Sequence, residues 1–179
     1  LQNTFDKIQR EKKIRFGYIP SPPSAIRDPA TGEVSGFYID GARAIAELMK
    51  VEAIMVETTW ANFASALQAG QFDVSIAATF ATIPRAMAVS FTNPINYQSF
   101  SGVKRKGDAR FTSLQDLNKP DVKIAVVQGS AGHEFVIQYL PKAQAVALST
   151  ANLQQPFLEV SARRADAADR KSTRLNSSH

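Results

Sequence analysis

The sequence predicts an α/β protein of two lobes, each a mostly parallel sheet with flanking helices. Three observations predict it. Short runs rich in β-branched and aromatic residues alternate with helical patterns, and parallel strands need such crossover helices. The alternation occurs twice, before and after "SFSGVKRKGD" at 99–108. The 179 residues are 44% hydrophobic and 21% charged, a globular rather than a disordered composition.

In chain order, "KIRFGYI" (13–19) reads as a strand and "DPATGEVSGF" as a turn or short hairpin. Ile39, Ala42, Ile45, Ala46 and Met49 recur at helical spacing, predicting a helix over 39–50. A strand at 53–59 precedes a short helix at 61–70, with Phe63, Ala66 and Leu67 on one face and Gly70 as its stop. Residues 73–79 read as a buried strand, and 83–90 as one or two helical turns. Thr82 is the expected N-cap there, with Pro84 in the first turn. The second run reads as a short helix at 113–117, a strand at 123–129, a helix at 132–141 and a strand at 143–149. A last helix follows in "ANLQQPFLEVSARR", capped by Asn152 and with Pro156 near its start. The organisation expected is a first lobe over 1–101, a connecting strand over 102–108 and a partial second lobe over 109–169.

Residues 170–179, "RKSTRLNSSH", hold three basic residues and no acid, lose all hydrophobic periodicity, and resemble the translated read-through of a sequencing adapter. They are set aside as a non-native tail. Without them the formal charge falls from +5 to +2, which removes the compositional hint of nucleic acid. The run Lys104-Arg105-Lys106 has no interleaved aromatics and reads as a solvated strand end, so no nucleic-acid partner is expected. There is no cysteine, which excludes disulfide and thiolate chemistry, and two distant histidines argue against a metal site. No cofactor is expected. No apolar run approaches the roughly 20 residues of a membrane helix. Neither an initiator Met nor a signal peptide is visible, as in a mature form or a fragment.

Open parallel sheets bind ligands beyond the carboxyl ends of their strands, and two facing lobes would put those ends across a cleft. Arg85 lies just past the strand at 73–79. Gly129-Ser130-Ala131-Gly132 lies at the equivalent place in the second run, where a helix N-terminus favours an anion. A guanidinium fork and that N-terminus are expected to grip one carboxylate. Each residue also has a plainer reading. Arg85 reads as a surface arginine, Trp60 as core, and Thr79 as a solvated or locally bonded hydroxyl. Ser130 reads as an N-cap, a ligand contact or both, and Phe80 as core or a stacking face. His133 reads as a surface residue of a first helical turn, and Asp40 as an acid facing a helix dipole.

Four stretches carry a family resemblance: "GFYIDGARAIAELM", "TTWANFASALQAGQFDVSIAA", "TIPRAMAVSFTNPI" and "SLQDLNKPDVKIAVVQGSAGHEF". In order and spacing, residues 4–169 resemble the extracellular solute-binding proteins of family 3, the receptors of polar amino-acid ABC transporters. The resemblance implies a periplasmic-binding-protein-like type II fold with an incomplete second lobe. It also implies hinge closure on a small amino acid or related carboxylate, docking on a membrane permease, a monomeric exported periplasmic protein and no enzymatic activity. Carried over, Arg85 holds the ligand's α-carboxylate, Ala78, Thr79 and Phe80 surround the ligand, Trp60 forms a wall, and Ser130 and Ala131 meet the carboxylate from the second lobe.

The chain departs from the family at several of these places. Phe80 stands where Ser or Thr is usual and Ala131 where a Thr is frequent. Tyr38 and Gly41 break the signature, and 17–26 lacks the Asp that serves an ammonium group. The second-lobe acid of the ammonium site falls at about Lys171, inside the tail, which leaves open a carboxylate ligand without an ammonium. Two alternatives stand beside the receptor: a dehydratase or lytic transglycosylase-like enzyme, for which His133 and Glu134 are the nearest acid–base groups, and the sensor domain of a membrane receptor. In the family the chain returns to finish the first lobe. Its failure to do so here predicts sheets that lack strands and a chain that is poorly soluble or partly molten and binds weakly.

Overall fold

The computed structural model describes residues 3–150 and 152–173. The chain divides into two compact units, the first ending at Phe91 and the second beginning at Thr92. The expected first lobe runs to 101. The difference arises because Gln98–Lys104 pairs along its whole length within the second unit's sheet.

The first unit is built around β1 (Lys13–Tyr18), flanked in parallel by β4 (Glu52–Glu57) and β5 (Val74–Ser75). The hairpin expected from "DPATGEVSGF" forms as β2 (Ile26–Arg27) and β3 (Val34–Ser35). Helices α2 (Phe37–Leu48), α3 (Phe63–Gln68) and α4 (Ile83–Ala88) fall where the periodicity puts them. Ile8, Ile14, Phe16, Ala42 and Ala46 form one core cluster, and Tyr18, Ala25 and Ile39 another beside it.

Two features of this unit differ from expectation. Helix α1 (Thr4–Glu11) is additional. It starts on Asn3, whose side chain accepts from the Phe5 N–H at 2.6 Å, and buries Ile8. Its Lys7 reaches Asp73, which also takes the Arg15 guanidinium and the Arg15 backbone N–H. The strand expected over 73–79 is only Val74–Ser75, because its pairing with β1 is confined to Phe16↔Val74 and Gly17↔Ser75. The chain beyond leaves the sheet.

In the second unit, β6 (Gln98–Lys104), a 3-10 turn (Leu114–Leu117), β7 (Lys123–Val127), α5 (Ala131–Tyr139), β8 (Gln144–Leu148), α6 (Gln155–Ser161) and β9 (Ala167–Thr173) follow in order. The sheet order is β6-β9-β7-β8, with β7 parallel to both neighbours and β6 antiparallel to β9. Strand β9 is unforeseen and runs four residues into the segment set aside as a tail. Its pairing extends from Gln98↔Thr173 to Lys104↔Ala167.

The basic run 104–106 is also more structured than a solvated strand end. Lys104 donates to the carbonyls of Asp108 and Phe111, and Arg105 to those of Val160 at 3.1 Å and Ala165 at 2.7 Å. Arg110 bridges Asp108 and Asp166, and Asp166 accepts the Lys123 N–H. Phe111, Leu117, Val122, Ile124, Val126, Val136, Leu140 and Ala167 make the unit's main core.

Candidate functional site

In the first unit, β4 ends in a tight turn. The Thr58 N–H bonds the Tyr18 carbonyl and the Phe63 N–H bonds the Thr59 carbonyl, each at 2.9 Å. Trp60 lies in that turn, 5% exposed, edge-on to Phe63 with ring centroids 6.1 Å apart. Beyond β5, the Ile76 N–H still bonds Gly17, and the half-buried residues Ala78, Thr79 and Phe80 then run without regular structure. The Thr79 hydroxyl donates to the Ala77 carbonyl at 3.3 Å, the local backbone bond that was one of its plainer readings. Thr82 takes the N-cap position of α4, with Pro84 in the first turn, but its side chain bonds none of the helix amides.

Helix α4 is inside out. Ile83 and Met87 are 79% and 85% exposed, while Arg85 is 5% exposed. Arg85 donates through Nη1 to the Phe80 carbonyl at 3.4 Å. Its guanidinium carbon sits 5.2 Å from the Phe63 ring centre and 5.8 Å from that of Trp60. The surface reading of Arg85 is therefore overturned. Taking a guanidinium out of water is costly without compensation, and the aromatic faces and the carbonyl supply part of it. Gln68 fastens the arrangement by donating to the Ala88 carbonyl at 3.0 Å.

Arg85, Phe80 and Trp60 thus come together at the carboxyl ends of β4 and β5. Phe63, on the face of its helix expected to be apolar, is 3% exposed and is also one of the rings under the guanidinium. The hydroxyls of Ser75 and Thr82 are buried without a hydrogen-bond partner. The sequence pointed the other way: at 3.6 residues per turn position 85 lies about 200° from both 83 and 87, so a helix that buried Ile83 and Met87 would have exposed the arginine.

In the second unit, Ser130 is the N-cap of α5. It is 5% exposed and accepts the His133 N–H at 3.2 Å. His133 is more than a surface residue, because its Nδ1 accepts the Gly129 N–H at 3.2 Å. Ala131 and Gly132 are buried in the first turn, and Asp169 from β9 lays its carboxylate against Gly132. The place expected for a ligand's carboxylate is thus next to one of the chain's own. Asp40 lies in the first turn of α2, as expected, and pairs with Arg43 at 3.7 Å. Among the described residues no group of three or more His, Cys, Asp or Glu could hold a metal, and no helix is long and apolar enough to cross a membrane.

Two α/β units of parallel-sheet type, each with its polar groups at the carboxyl ends of the strands, define a periplasmic-binding-protein fold of type II. The chain belongs to the bacterial extracellular solute-binding proteins, family 3, whose family model matches residues 14–173. It is 33% identical to the solved structure of the ancestral amino acid-binding protein AncCDT-1, a precursor of cyclohexadienyl dehydratase. That superposition has a TM-score of 0.83 and covers 94% of this chain and 74% of the other. A probable amino-acid ABC transporter-binding protein of Haemophilus influenzae is 27% identical over 63% of this chain and 44% of its own length. An L-arginine-binding protein of Pseudomonas aeruginosa is 26% identical over 92% of this chain and 63% of its own length. The chain therefore spans less than two thirds of both relatives.

Proposed function

We propose that this chain is the ligand-binding part of a periplasmic solute receptor of an ABC importer, and that it takes a small amino acid or related carboxylate. The observation that carries this is the inverted helix α4, which keeps Ile83 and Met87 in solvent and holds Arg85 inside, against Trp60, Phe63 and the Phe80 carbonyl. A helix oriented to bury its one cation, and not its apolar side chains, is organised for a use of that cation.

In this reading Arg85 pairs with the ligand's carboxylate. Ala78, Thr79 and Phe80 offer backbone and hydroxyl groups, Trp60 gives an apolar wall, and the buried Ser75 and Thr82 hydroxyls are further donors. Ser130 and Ala131 are the second unit's contacts. A charge-assisted hydrogen bond contributes about 1.5–3 kcal/mol, whereas micromolar affinity requires about 8 kcal/mol. The apolar wall and the second unit must supply the rest. Ligand would then favour the closed arrangement by its extra contacts there. The whole receptor would act as a monomer and hand its ligand to a membrane permease.

L-Arginine is the first probe, because the Pseudomonas relative is named for it. Calorimetry with a panel of amino acids and simple carboxylates tests the proposal, and saturable binding of at least one is expected. A second reading, a dehydratase on the same scaffold, stays open because a cyclohexadienyl dehydratase of Pseudomonas aeruginosa is 25% identical over 63% of this chain. Turnover of a cyclohexadienyl substrate would establish it, and binding without turnover would establish the receptor.

A further inference from the structure

We infer that Glu57 sets the ligand class of this site: its carboxylate receives a positive charge on the ligand's side chain, so the ligand is an amino acid with a guanidinium or amine at its far end. The inference rests on the function proposed above, in which Arg85 holds the ligand's carboxylate.

The sheet fixes where Glu57 lies. Strands β1, β4 and β5 run parallel, so Tyr18, Glu57 and Ser75 end them on one edge. Arg85, Phe80 and Trp60 meet at this edge, and Trp60 follows Glu57 by three residues. Other acids of the unit are placed or engaged elsewhere. Glu52 opens β4 and Asp73 precedes β5, both at the opposite edge, and Asp73 is taken by Arg15 and Lys7. Asp28 accepts the N–H groups of Ala30 and Thr31 in its own turn, and Asp40 pairs with Arg43.

The carboxylate is also held in one place. Glu57 is the register partner of the buried Tyr18, whose phenol donates to Oε2 at 3.1 Å. Arg27 of β2 approaches the same oxygen through Nε at 3.6 Å, and the Glu57 side chain is still 44% exposed. A guanidinium therefore already rests beside this carboxylate. An exposed ion pair of that kind contributes little, so a ligand cation can take its place.

The faces of the sheet decide which cation is meant. Gly17 faces Phe72, beyond α3, while the next residue, Tyr18, packs with Ile39 of α2. Successive strand residues point to opposite faces. Glu57 thus sits with Tyr18 toward α2, whereas the Arg85 guanidinium lies by the Phe63 ring of α3. The α-ammonium of an amino acid is two bonds from its carboxylate carbon and cannot serve both sides. A side-chain cation several bonds away can.

The test is calorimetry of the 179-residue chain with L-arginine and with L-citrulline, in which a neutral ureido group replaces the guanidinium. The unsubstituted protein should bind L-arginine at least about tenfold more tightly. Glu57→Gln keeps an acceptor for Tyr18; it should bring L-arginine down to the L-citrulline level and leave L-citrulline unmoved. Arg27→Gln removes the competing cation and should tighten L-arginine at least about threefold. Equal affinities in the unsubstituted protein, a preference that survives Glu57→Gln, or no tightening in Arg27→Gln would overturn the inference and leave the proposed function standing. Failure of both ligands to bind would also overturn it, and the proposed function falls as well if the rest of the amino-acid and carboxylate panel fails.

Discussion

The guanidinium carbon of Arg85 stands 5.8 Å from the centre of the Trp60 ring, and Trp60 is the one tryptophan of the chain. Its fluorescence therefore reports on Arg85. Arg85→Ala opens a polar, partly hydrated gap beside a ring that is 5% exposed, so the emission maximum is expected to move to the red. An unshifted spectrum in a folded Arg85→Ala variant would show that the two side chains are not neighbours in solution.

Asp73 is the anchor of the first unit. Its side chain is 3% exposed, takes Arg15 through Nε, Nη2 and the backbone N–H, and takes Lys7 at 3.3 Å. Burial pushes its carboxyl up, but the Arg15 hydrogen bonds and charge more than offset this and hold it below the usual value. A lowered folded value adds stability that is present above the unfolded value near 3.8 and is lost as the pH falls through the folded one. Asp73→Asn is expected to cost the first unit about 1.5–3 kcal/mol at neutral pH and to flatten its acid dependence. Urea melts of both proteins across that range check it.

Two of the second unit's lowered carboxylates behave likewise. Hydrogen bonds from Arg110 bring Asp108 down to about 2. Hydrogen bonds from Arg164 and then Gln155 do the same for Glu159. Their contributions should be complete above about pH 5 and be lost as the pH falls through about 2. Glu159→Gln is expected to remove part of that dependence from the second unit only. NMR signals of Ala125 and Val160, packed in the same small cluster, provide the readout.

Tyr18 gives the alkaline counterpart. Burial, then the negative charge of Glu57 and the hydrogen bond to it at 3.1 Å, push its phenol up to about 12. The neutral phenol is favoured in the fold, so its contribution is full below the unfolded value near 10 and is lost as the pH rises through about 12. An ultraviolet titration should show a late tyrosine step that Tyr18→Phe abolishes.

Element order was legible because most segments carry their period locally. Lys13–Tyr18, Glu52–Glu57 and Lys123–Val127 are apolar and β-branched, and α2 and α5 show helical spacing. What failed was non-local. Helix α1 is highly charged and buries only Ile8, so it depends on the Asn3 cap and on Lys7 reaching Asp73. The alanine-rich strand β9 carries little β preference of its own and forms by pairing on both sides, with β6 and β7. The 73–79 run is apolar enough for a strand, but β1 offers partners only to Val74 and Ser75.

The site divides in the same way. Arg85, Phe80 and Trp60 could be nominated from their places after strands. The rings under the guanidinium and the carboxylate of Asp169 over Gly132 depend on contacts between distant segments.

The pairing of Arg85 with a ligand carboxylate is tested most directly by a calorimetric cycle. Its ligands are the amino acid that binds best in the panel and the amine left when its carboxylate is removed; its proteins are the unsubstituted chain and Arg85→Ala. The amino acid should bind the unsubstituted protein at least about tenfold more tightly than the amine, and Arg85→Ala should erase that difference. If Arg85→Ala weakens both equally, or neither, Arg85 does not hold the carboxylate.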